Sequence, residues 1–240
     1  MKMTLPIRCL QLLVLSRAIP KTTAFAIPPL SSFLQTALHQ SSHFSTKPPS
    51  PKEPAKIIPG TENIMAQKSH GTSNTPVIYT LSEPYGARDW WPCKQDLNDK
   101  INNIDVYITA PSQYVSVSNG LEPEAPVING NLKTTHFRHN YPIPAYLICM
   151  AVTNYTIINQ TAGSAPNNYP IINYIYPESD NSSLRTQILQ TPLILNYYST
   201  LLENYPFANE KYGHAQFGWG GGMEHTTVSF MVNFGRQLIA

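Results

Sequence analysis

The residues that could do chemistry concentrate in Trp219-Gly220-Gly221-Gly222-Met223-Glu224-His225. Three successive glycines strip every side chain from one stretch of backbone, so another chain or a ligand can reach the peptide groups. An acid and an imidazole follow at once. One reading is a substrate-binding edge, with main-chain groups pairing to an extended peptide and the Glu224 carboxylate receiving a cation at its end. The other is a glycine-rich turn whose glutamate faces water.

A second window, Thr80 to Cys93, packs charge and aromatic area into a proline-bounded loop, Glu83-Pro84-Tyr85-Gly86-Ala87-Arg88-Asp89-Trp90-Trp91. Arg88 between two acids predicts structural ion pairs, and the tryptophans predict core or interface anchors. Glu83, at the end of a strand and before a proline, is the one member that suits a binding site.

The remaining chemistry-bearing types assemble no metal site. His39 and His43 stand at i, i+4, the spacing of H-E-x-x-H, but lack its glutamate. His136 and His139 fall on opposite faces of a strand, and His214 and His225 have no helical partner. Cys9, Cys93 and Cys149 are too few for a disulfide framework or a four-thiolate zinc site and read as buried or free thiols.

Short β-branched and aromatic runs at Pro76–Leu81, Ile104–Thr109, Tyr114–Ser118, Thr134–His139 and Tyr169–Tyr176 predict strands. Asn119-Gly120 predicts a tight turn. Tyr146–Val152 is apolar on both faces, as in a strand buried between layers. Such spacing predicts a β-sandwich or a similar antiparallel β architecture. After Asp180 the pattern turns helical: Ser182-Ser183 can cap a first turn, and Thr191-Pro192 reads as a second start or a kink. Leu193, Ile194, Tyr197, Tyr198, Leu201 and Leu202 share one helix face, the expected core face.

Composition bounds the rest. The 240 residues, 42% apolar, can bury a sizeable core. Only 12% are charged and 22 are proline, which excludes a helical bundle. Residues 1–52 hold six of the sixteen Lys and Arg and no acid, leaving ten basic and fourteen acidic residues beyond them. That balance, about −4, offers no electrostatic case for nucleic-acid binding. Leu10–Ser16 is a short apolar run followed by Ala24-Phe25-Ala26, a weak signal-like pattern that leans toward a secreted or periplasmic protein over an organelle transit sequence. No run reaches the roughly 18 residues of a membrane span. Residues 45–60, rich in Pro and Ser, read as a linker.

At the two windows the sequence resembles the zinc aminopeptidases of the aminopeptidase N and leukotriene hydrolase type. Gly221-Gly222-Met223-Glu224-His225 is similar to the family's G-x-M-E-N motif, with His225 where Asn is usual, and Glu83–Arg88 with Pro92-Cys93 resembles its N-terminal signature loop. Tyr205-Pro206-Phe207 and Lys211-Tyr212-Gly213 also fit. Leu81 stands where many members carry Gln. The resemblance implies a mainly β fold: a saddle-like antiparallel β-sandwich over residues 67–178, incomplete, then the start of an α+β, thermolysin-like catalytic unit over 179–240, with 1–66 as leader and linker. It implies that Glu224, helped by Glu83, grips the free α-amino group of a peptide, while Gly220, Gly221, Gly222 and Met223 line the substrate strand. In the family, zinc held by H-E-x-x-H and a later Glu polarises the carbonyl and activates water. Gln237-Leu238-Ile239-Ala240 is the kind of run that precedes that motif, so the expectation is a fragment with the amine-binding half of the site, no catalytic residue of its own and no bound zinc. The alternative is a secreted, non-catalytic β-sandwich binding or adhesion module.

Overall fold

The computed structural model describes residues 11–16, 65–94 and 96–232, the first segment as backbone only. His39 and His43, the 45–60 stretch and the 237–240 run lie outside these. Thirteen strands and two helices are described: β1 Gln11–Ser16, β2 Met65–His70, β3 Thr75–Thr80, β4 Ile104–Pro111, β5 Val115–Ser118, β6 Val127–Asn129, β7 Leu132–His139, β8 Met150–Thr153, β9 Thr156–Ala162, β10 Tyr169–Ile175, α1 Ser182–Ile188, α2 Gln190–Leu201, β11 Tyr212–Gln216, β12 Gly222–Met223 and β13 Ser229–Met231.

The strands form three sheets, ordered β1-β4-β7-β6, β2-β3-β8-β5 and β12-β13-β11-β10-β9. The first two are antiparallel throughout, while in the third β11 runs parallel to both β10 and β13. The β2–β5 sheet lies between the other two, and its sequence says why. Along β3, Ile78 joins Ile104, Val106, Ile108 and Phe137 of the first sheet in one core, while Val77 and Tyr79 join Tyr174, Ala215, Phe217 and Phe230 of the third in another. Because successive side chains point to opposite faces, a strand covered on both sides carries apolar residues at successive positions. The same demand explains Met150, Ala151 and Val152 on β8.

Mainly β structure with antiparallel sheets is therefore as the sequence predicted. Three local expectations change. The predicted strand Tyr146–Val152 begins as a 3-10 turn, Ala145–Leu147, and only Met150 onward pairs as a strand. Pro142 and Pro144 immediately upstream cannot donate ladder hydrogen bonds, which delays the strand. Gln11–Ser16, read as part of a leader, pairs along its length with β4. The helix face also turns over. Leu193, Tyr197, Tyr198, Leu201 and Leu202 are more than half exposed, whereas Leu184, Ile188 and Thr191 are buried and Leu195 packs with Ala162, Tyr169 and Ile171. The third sheet takes the edge of the apolar stripe of α2 that carries Thr191 and Leu195 and leaves the centre of the stripe at the surface. The cap of α1 is Asn181, whose Oδ1 accepts from the Leu184 N–H at 3.0 Å. None of the helices among the described residues is long and apolar enough to cross a membrane.

Candidate functional site

Glu83 is placed by the residue before it. Ser82 is fully buried; its hydroxyl accepts from Trp90 Nε1 at 2.8 Å, and its carbonyl accepts from the Gly86 N–H at 2.9 Å. Trp91 anchors the loop in the core with Ala87 and Ile104. So the tryptophans are core anchors, as predicted, and they leave Glu83 on the exposed side of a fixed turn. Arg88 is exposed and makes no ion pair among the described residues, contrary to expectation.

The glycine window is the far end of the third sheet. β12 pairs with β13 on one side, Gly222 opposite Met231 and Met223 opposite Phe230, and among the described residues it is the outermost strand of the sheet. Each glycine has a different setting. A Cβ on Gly221 would run into the Trp219 ring, so close stacking of that indole requires glycine there. A Cβ on Gly220 would meet nothing within 4 Å. Gly222 is exposed at the strand edge, and Met223 is buried among Val228 and Phe230. Glu224 then points outward while His225 turns in, with its ring edge-on to Phe230 at 4.6 Å.

Glu83 and Glu224, far apart in sequence, both contribute to the electrostatics of Tyr146. The Tyr146 phenol is pushed above its usual pKa first by burial, then by the negative charges of Glu224 and Glu83. Both carboxylates are exposed, and neither has a hydrogen bond or ion pair to a described residue. An unpaired carboxylate at the end of an exposed strand edge suits a cation that can also donate hydrogen bonds. The apolar run predicts strand where Tyr146 lies, and Pro142-Ile143-Pro144 is the local signal for the turn found there.

Behind this surface the two parts of the chain are joined by buried polar contacts. Lys211 is buried with Nζ donating to the Ser118 carbonyl at 3.0 Å and lying 5.5 and 5.8 Å from the Phe137 and Tyr174 rings. Burial lowers its pKa to about 8. Glu210, also buried, accepts from His139 Nδ1 and the Asn140 N–H, both at 2.6 Å. His214 and His225 are held neutral by burial, their pKa values lowered to about 4 and about 3. His214 has Asn173 and Tyr212 as partners at 2.8 and 3.2 Å. Both His225 nitrogens lack one.

The two cysteines among the described residues, Cys93 and Cys149, are free thiols. Among the described residues no group of three His, Cys, Asp or Glu could hold a metal ion, so they do not fit a zinc site. A separate cleft of about 660 Å³ lies between the 163–169 loop, the end of α2 and the 204–209 loop, away from Glu83 and Glu224.

In fold, this chain is similar to solved M1 zinc metallopeptidases. One from Deinococcus radiodurans, a Glu-to-Ala mutant, superposes with a TM-score of 0.54 and 21% identity over 65% of this chain and 35% of its own. A two-domain M1 zinc metallopeptidase mutant bound to L-arginine gives 0.54 and 20% over 69% and 37%. The sequence itself is similar to glutamyl aminopeptidase of Mus musculus, 30% identical over 107 residues, and of Rattus norvegicus, 28% over 107. These stretches cover 45% of this chain and 11% of each relative. No protein-family profile matches the chain. The resemblance drawn from the two motifs is thus borne out by both kinds of likeness.

Proposed function

We propose that this chain carries the amine-recognising part of a zinc aminopeptidase, binding the free N-terminus of a peptide without a zinc site of its own. The observation that carries it is the edge strand β12, laid bare at Gly220–Gly222 and followed at once by the exposed, unpaired carboxylate of Glu224, with exposed, unpaired Glu83 as the second anion. A peptide laid along Gly220–Met223 would add a strand to that edge, with its α-ammonium between the two carboxylates. Charge-assisted bonds from an ammonium are lost when the amine is acylated, which gives preference for a chain end over an internal segment. Leu81, where a further polar contact would stand in the family, supplies none. The sequence contains no H-E-x-x-H motif, so hydrolysis by this chain alone is not part of the proposal.

The test titrates tetra-alanine amide and its N-acetyl counterpart into the whole chain, followed by NMR of the Met223 methyl group. The free amine should shift that signal and the acetylated peptide should not. Glu224→Gln should weaken binding by about tenfold, the low end for a charge-assisted bond because the site is exposed. Equal binding of both peptides would overturn the amine role. One zinc per purified chain by metal analysis would overturn the absence of a metal site.

A further inference from the structure

The elements bearing Glu224 and Tyr146 are far apart in sequence, yet one tripeptide touches both. Ser118-Asn119-Gly120, at the end of β5, is buried throughout. The Asn119 side chain makes three hydrogen bonds to backbone: Nδ2 donates to the Leu147 carbonyl at 3.0 Å and to the Thr226 carbonyl at 2.7 Å, and Oδ1 accepts from the Cys149 N–H at 2.9 Å. Two carbonyls and one N–H admit only one orientation of the amide. Leu147 closes the turn that presents Tyr146, and Thr226 is two residues beyond Glu224. The next N–H, that of Gly120, donates to Thr227 Oγ1 at 2.8 Å.

Thr227 is itself unusual. Its φ is +69°, in the left-handed region that a β-branched residue rarely enters. Such a conformation persists only where surrounding contacts over-determine it. Here the Thr227 hydroxyl and the Thr226 carbonyl are both captured by the Asn119-Gly120 turn. Gly120, at φ +75°, is equally constrained, since a Cβ there would run into the Arg138 carbonyl.

We infer that Asn119, Gly120 and Thr227 form a positioning latch that fixes the Glu224 loop against the Tyr146 turn and so sets the spacing of the amine site. None of the three reaches the site itself; each acts through backbone. The inference rests on the amine-binding reading above.

The experiment separates the latch from mere stability. Thr227→Gly removes the hydroxyl and also relieves the left-handed strain; Thr227→Ser keeps the hydroxyl; Asn119→Asp keeps the shape but sets an acceptor against two carbonyls. Each full-length variant is measured for thermal midpoint and for affinity toward tetra-alanine amide and its N-acetyl form. The latch predicts that Thr227→Gly keeps a midpoint close to the parent's yet loses about five- to tenfold in free-amine affinity, with the acetylated peptide unaffected. It predicts that Thr227→Ser binds as the parent does. Asn119→Asp should lose both stability and preference. If Asn119→Asp does not fold, the threonine pair decides alone. Parent-like free-amine affinity in Thr227→Gly overturns the latch while leaving the amine site standing. Failure of the parent chain to prefer the free amine overturns both.

Discussion

Mild acid should unfold this protein through two histidines, and His225→Phe should remove half of the effect. His214 and His225 are nine-tenths buried or more, with pKa values near 4 and 3 against an ordinary 6.5. The folded values lie below the unfolded ones, so the unfolded chain binds more protons. Stability is therefore fully present above about pH 6.5 and is lost as pH falls toward the folded values. At pH 5 an unfolded histidine is almost wholly charged while each of these remains neutral. The cost is about 2 kcal/mol for each, or about 4 kcal/mol together, relative to pH 7.5. His225 offers the cleaner substitution, because neither of its nitrogens has a partner and its ring already packs against Phe230. Phenylalanine keeps the ring and deletes the titration. Urea unfolding at half-unit steps from pH 7.5 to 5 should give a parent curve steeper by one proton per molecule. Histidines paired with carboxylates, His70, His136 and His139, are common to both proteins and cancel in the difference. Coincident slopes would refute the burial argument for His225.

Two further outcomes follow from packing. Gly120→Ala combines a positive φ with a backbone collision at Arg138, and should cost at least about 2 kcal/mol in chemical denaturation; a neutral result would mean the turn is not as tight as described. Tyr197→Ser on α2, at 61% exposure, should change stability by no more than about 0.5 kcal/mol, and a loss above about 2 kcal/mol in thermal unfolding would show that this face is covered after all.

Much of this was legible in the sequence because the controlling rules are local. Alternation and β-branching marked β3, β4, β5, β7 and β10 to within a few residues, and Asn119-Gly120 announced its turn. The both-face apolarity of Met150–Val152 announced a covered strand, though only the third sheet explains what covers its second side. The glycine window and Glu83 were visible as residue types at a suggestive spacing. The face of α2 was not legible, since its apolar stripe, Leu193, Tyr197, Tyr198 and Leu201, stays exposed and hydropathy does not say on which side a sheet will lie. Tyr146 was hidden by an apolar run that looked like continuous strand.

The sequence by itself determined the layer pattern and the chemistry available: mainly β structure, a backbone laid bare at Gly220–Gly222, and two glutamates in motif positions. Only the tertiary structure decided that the Thr226 carbonyl, two residues beyond Glu224, is held by Asn119 at the end of β5, and that β12 ends its sheet among the described residues. The physical reason is range. Propensity and alternation act over a few residues, whereas the pairing of Asn119 with Thr226, 107 residues apart in sequence, depends on which buried faces close against each other.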